Sequence, residues 1–140
     1  MKWFAALTAF LALGAIVATT SAVAATPRHA TITIRHEMKG CHSWALGSGA
    51  VTSHLSTTLK AGGSITFTNN DVMSHQLIMK SGPAKVLVGV RVMNHIGATA
   101  KVTFPRAGTY RFTTKAGEDY TKGVKTVGED HVLTLSVTVR

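Results

Sequence analysis

Beyond residue 30 the chain alternates apolar and polar positions in short runs. In Thr31-Ile32-Thr33-Ile34-Arg35-His36 every second side chain is apolar, the period of a half-buried strand. Ser64-Ile65-Thr66-Phe67-Thr68 repeats the pattern. Asn69-Asn70-Asp71 then interrupts it with turn-forming side chains, and His75-Gln76-Leu77-Ile78-Met79 resumes it before Ser81-Gly82-Pro83 breaks the chain again. Further strands are predicted at Lys85 to Val92, Lys101 to Phe104, Thr109 to Thr113 and Val132 to Val139. The last is the clearest, with Leu133, Leu135, Val137 and Val139 on one face and Thr134, Ser136 and Thr138 on the other. No segment carries the spacing and caps of a long helix. Roughly seven or eight short strands separated by Gly, Pro and Asn imply an all-β, antiparallel Greek-key sandwich or barrel.

The first 24 residues stand apart. Met1-Lys2 supplies a positive charge, Trp3 to Val17 is nearly all apolar, and Ala22-Val23-Ala24 has the small-x-small form of a cleavage site, so residues 1–24 are expected to be a secretory signal peptide. The apolar run is shorter than the roughly 20 residues a membrane span needs. The mature domain, residues 25–140, is therefore expected to be periplasmic or secreted, with no stable membrane insertion.

Composition sharpens this picture. The 140 residues are 45% apolar and only 15% charged, which excludes a disordered polyelectrolyte. Fifteen Lys and Arg against six Asp and Glu give a formal charge of +9. The basic residues are spread along the chain without a dense run or an aromatic platform, so nucleic acid is not an expected partner. A single Cys, Cys41, excludes an intramolecular disulfide framework and a Cys-only zinc site. A lone thiol in an oxidising compartment is better explained by burial or by metal ligation than by exposure.

Two segments carry a family resemblance. Leu59 to Asp71 followed by Ser74-His75-Gln76-Leu77 resembles the strand, Asn-rich turn and first histidine ligand of the cupredoxins. Lys101-Val102-Thr103-Phe104-Pro105 with Ala107 to Phe112 is similar to the hairpin that leads into that family's second ligand loop. The motif Gly40-Cys41-His42-Ser43-Trp44, the segment Asp71-Val72-Met73-Ser74-His75, Met93-Asn94-His95 and the repeated Gly-Glu-Asp triplets resemble a subset of exported cupredoxin-like proteins. After Tyr110 and Phe112 the usual Cys-His-Met ligand loop is missing. Thr114 stands where the cysteine would be, and Glu118 falls close to the place of the histidine.

The resemblance implies that four loops meet at one pole, carrying Cys41-His42, His75, His95 and Glu118-Asp119. The expected metal ligands are accordingly Cys41, His42, His75, His95 and Glu118, with His36 in reserve as a ligand or as a partner that orients one. Thiolate and imidazole together select copper or zinc over magnesium or calcium, and one copper ion is the expected cofactor. Trp44 and Tyr120 are candidates to shield the ion from water.

The function expected from these residues is electron transfer or copper handling, with a redox or copper-exchange protein as partner, rather than enzymatic turnover. Two alternatives stand beside it. A metal-free sandwich could use its positive charge to bind anionic envelope polymers. A red-type copper redox enzyme would need an open coordination position near Glu118. No Gly-x-Ser-x-Gly elbow points to a hydrolase.

Overall fold

The computed structural model describes residues 24–37, 41–87, 91–117 and 133–140. The segment expected to be a signal peptide, through residue 23, lies outside the described residues, as do Glu118, Asp119 and Tyr120.

The described residues form nine strands: β1 (His29–Glu37), β2 (Cys41–Leu46), β3 (His54–Leu59), β4 (Ser64–Asn70), β5 (His75–Ser81), β6 (Val92–Met93), β7 (Thr99–Thr103), β8 (Gly108–Lys115) and β9 (Thr134–Val139). They form two sheets, one in the order β2-β1-β4-β7 and the other in the order β3-β9-β8-β5-β6. The chain crosses repeatedly between the layers. The result is the all-β sandwich expected from the pattern, with antiparallel pairs throughout except for parallel β1–β4 and β3–β9. No helix among the described residues is long and apolar enough to cross a membrane.

The inward positions of both sheets make one core. Ile32 and Ile34 of β1, Ile65 and Phe67 of β4, and Leu135, Val137 and Val139 of β9 are all buried, as the two-residue period requires. Aromatic rings tie the two layers together. Trp44 lies 6.5 Å from Phe67, Phe67 lies 6.2 Å from Phe112, and Phe104 packs edge-on against both Phe112 and Tyr110. Such tilted and edge-to-face pairs add to the burial of large apolar surfaces. The Tyr110 hydroxyl keeps a polar partner by donating to the Arg106 carbonyl at 2.9 Å.

Two parts of the fold differ from the sequence expectation. Cys41 and His42 do not sit in a loop after the first strand but open β2, which pairs with β1 through residues 32–37 and 41–46. The pairing runs to Glu37 opposite Cys41 and so takes in the backbone of both residues of the motif. Of the strand expected from Lys85 to Val92, residues 85–87 carry no strand pairing, residues 88–90 lie outside the described residues, and Val92 pairs within the two-residue β6.

Gly108, at the start of β8, has φ of 131°, and a Cβ there would lie 2.9 Å from Pro83 Cγ. Gly62 also has positive φ but open space around it. Replacing Gly108 with Ala is expected to destabilise the fold by about 2 kcal/mol, and Gly62→Ala by about 1 kcal/mol. Urea denaturation of the two variants checks this order; equal midpoints would contradict it.

Candidate metal centre

Strand register alone assembles a row of donors at one end of the first sheet. Antiparallel β1 and β2 place His36 opposite His42, and parallel β1 and β4 place Arg35 opposite Asn70. Asp71 continues β4 by one residue, so His42, His36 and Asp71 fall side by side across three strands spaced about 4.8 Å apart. One donor atom from each of the three lies within 4.8 Å of the others. His75 opens β5 four residues after Asp71 and closes the cluster from the second sheet.

The Asp71 carboxylate is the centre of this arrangement and is 1% exposed. Its Oδ2 accepts from His42 Nδ1 and from His75 Nε2, both at 2.9 Å. The Oδ1 atom accepts from the Met73 amide at 3.1 Å and lies 3.5 Å from Nδ1 of the half-exposed His36. The His42 and His75 rings meet at a right angle with centroids 4.8 Å apart. Burial on its own pushes the Asp71 carboxyl up. Hydrogen bonds from His75, the Met73 amide and His42, with the charge of His75, outweigh it and hold the group below the ordinary carboxylate value.

The turn that holds Asp71 is fixed by Asn69, itself fully buried. Its side-chain carbonyl accepts from the Asp71 amide at 2.9 Å, and its amide donates to the carbonyls of Met73 at 2.8 Å and Met93 at 3.0 Å. Backbone bonds from Asn69 to Ala98 and from Gly97 to Asn69 draw the His95 turn against the same end. The Asn-rich turn legible in the sequence is thus a clamp joining β4, β5 and β6.

The tautomers follow from the carboxylate. An ionised carboxylate only accepts, so the ring nitrogens facing it carry the protons. Protonation of His42 at Nδ1 leaves Nε2 as the nitrogen turned away from the carboxylate. His42 is 4% exposed, and its Nε2 has no hydrogen-bond partner among the described residues. A buried imidazole lone pair opposite a carboxylate-bound N–H is the arrangement in which histidine ligates a metal, with the carboxylate orienting the ring and raising its basicity. The imidazole donors therefore fit a borderline transition metal.

Of the expected ligands, the structure brings His42 and His75 together, and His36 reaches the rim of the same cluster. Cys41 lies immediately before His42 at the start of β2, with its backbone opposite Glu37. His95 is exposed on the adjoining turn, where its Nδ1 meets Asn94 Oδ1 at 2.8 Å. Met93 is fully buried in the core. Trp44 is fully buried on β2. Asp71 is the functional residue that sequence reasoning missed. It is one of only six acids in the chain and stands four residues before His75, which is the signal that could have marked it.

No protein-family model matches the sequence, and neither does any curated protein. Among solved structures, the fold is similar to a purple cupredoxin from Nitrosopumilus maritimus, at 19% identity and a TM-score of 0.44, over 79% of this chain and 99% of that one. It is similar to a variant amicyanin in its reduced state, at 22% identity and a TM-score of 0.40, over 64% of this chain and 70% of that one. It is also similar to a cysteine protease inhibitor from Entamoeba histolytica, at 11% identity and a TM-score of 0.47, over 81% of this chain and 99% of that one. Proteins as different as a cupredoxin and a protease inhibitor share this degree of likeness, so the likeness chooses no function and the donors must.

Because Asp71 titrates below its unfolded counterpart, its stabilisation is complete above about pH 4 and drains away as the pH falls through the folded value. The wild-type protein is expected to lose stability through this acid range, whereas Asp71→Asn starts about 2 kcal/mol lower at pH 7 and falls less on acidification. Thermal melts between pH 2 and pH 7 check this; parallel curves would contradict it.

Proposed function

We propose that this chain is an exported copper-binding protein that holds one ion at the pole of the sandwich and serves electron transfer or copper exchange with a protein partner. The observation that carries the reading is the buried Nε2 of His42, without a partner among the described residues, on a ring whose other nitrogen is held by Asp71. His42 and His75 would supply imidazole nitrogen and Asp71 would orient both rings, with Cys41, the first residue of β2, a candidate thiolate ligand. His36 at the rim, His95 on the adjoining turn and Glu118 are the further candidate ligands.

Copper suits the set because imidazole is borderline and thiolate is soft, and the ion would supply a one-electron redox couple. The protein's own part is to hold the donors still. Two of the three row positions lie on paired strands, and Asp71 is locked by the Asn69 clamp, so little rearrangement would accompany a change of charge at the site. Burial of His42 and His75 keeps water from competing for their nitrogens.

Titration of the reduced, metal-free protein with Cu(II) tests the reading. We expect a one-equivalent endpoint and an intense visible band that Cys41→Ser abolishes without loss of fold. Asp71→Asn is expected to weaken copper affinity about 10–100-fold by releasing the two rings, with the band position altered. Absence of copper uptake would leave the Asp71 cluster as a structural latch in a metal-free binding module, and uptake indifferent to His42→Ala would put the ion outside this cluster.

A further inference from the structure

The outward face of the second sheet carries a different chemistry, and it stands independently of the metal reading. Strand register lays its residues out as a grid. Thr58, Thr138 and Thr109 form one cross-strand row, Ser56, Ser136 and Arg111 the next, and His54, Thr134 and Thr113 the third. Seven of these nine positions carry hydroxyls. Lys80 joins the middle row from β5, next to the Ser81 that pairs with Arg111. A depression of about 380 Å³ crosses the face, lined by Lys80, Arg111, His54, Ser56, Thr113 and Thr134 among others.

Three observations give this depression a ligand chemistry. First, β3, β5, β8 and β9 contain no Asp or Glu, and neither Arg111 nor Lys80 makes a side-chain hydrogen bond or ion pair among the described residues. Second, the Thr113 hydroxyl is shielded from water and has no partner among the described residues. Third, the exposed large apolar residues, Val51, Val72, Val92 and Ile96, are absent from the lining, whose apolar members are the partly buried Leu55 and the buried Phe112 and Leu135. Cations and hydroxyls around a recessed apolar floor, with no protruding ring or apolar wedge, suit a hydroxylated oxyanion that can lay a sugar face on that floor, rather than a bilayer or stacked bases.

Charge density narrows the class. Arg111, Lys80 and the titratable His54 are spread over four strands, a width of roughly 14 Å. Duplex DNA presents a charge about every 1.7 Å, which this sparse set cannot match. A chain of sugar acids, with one carboxylate per unit and free hydroxyls between, can. We propose that this face binds a uronate polysaccharide, with the Arg111 guanidinium taking a carboxylate in a forked pair, Lys80 a neighbouring one, and the Ser and Thr hydroxyls the sugar hydroxyls.

Calorimetric titration of the purified protein with a galacturonate hexamer tests this at low salt. Saturable binding is expected, weakened about tenfold by Arg111→Ala and by Lys80→Ala, and changed less than about twofold by Lys101→Ala on the opposite sheet. A neutral dextran of the same length should not bind. These substitutions replace exposed side chains, and circular dichroism verifies the fold of each. No uronate binding, an equal loss in Lys101→Ala, or Arg111-dependent binding confined to an oligonucleotide or to anionic vesicles would overturn the proposal.

Discussion

A carboxylate with almost no exposure to water must find its hydrogen bonds inside the protein, and Asp71 takes them from three directions: His42, His75 and the Met73 amide. This requirement organises the whole pole. Desolvating an ionised group is expensive, and only donors placed within hydrogen-bond reach offset the penalty. His42 comes from β2, whereas the Met73 amide and His75 come from the stretch that runs from β4 into β5, so β2, the end of β4 and the start of β5 are bound to one another through a single side chain. The same constraint fixes chemistry as well as shape. It decides which nitrogen of each ring is protonated, and so which nitrogen is left to hold something else.

Precision at this pole comes from strand pairing rather than from loops. His36 and His42 are cross-strand partners, and Asp71 follows directly from the parallel pairing of β1 with β4. A slip of one residue in either register would turn the donors to the opposite face. The buried alternation of Ile32 and Ile34 with Ile65 and Phe67 forbids such a slip, because it would expose the core. The aromatic chain from Trp44 to Tyr110 then locks the second sheet, and with it His75, over the first. Packing energy in the middle of the sandwich is thereby converted into donor geometry at its end.

Much of the fold was legible from periodicity. β1, β4, β8 and β9 alternate cleanly, and Leu133 through Val139 bury the face that their pattern marked. β2 escaped because Cys41-His42-Ser43-Trp44-Ala45 shows no alternation of polarity, and His42 through Ala45 are all buried, which tertiary structure alone decides. β3 escaped because Thr and Ser fill the places between Leu55 and Leu59, leaving a weak apolar signal. At the site, His42 and His75 were readable from their motifs. Asp71 was readable only as a turn former, since the backbone role of Asn69 and Asp71 is local whereas the burial that makes the carboxylate a hub depends on β1, β2 and β5 closing around it.

The protonation pattern of the two buried rings is the central claim, and long-range proton–nitrogen NMR of the metal-free protein at neutral pH reads it directly. The carboxylate hub predicts that His42 carries a proton at Nδ1 and His75 at Nε2, both facing the carboxylate, with both assignments lost in Asp71→Asn. Opposite tautomers, or a pattern that survives the loss of the carboxylate, would contradict the account.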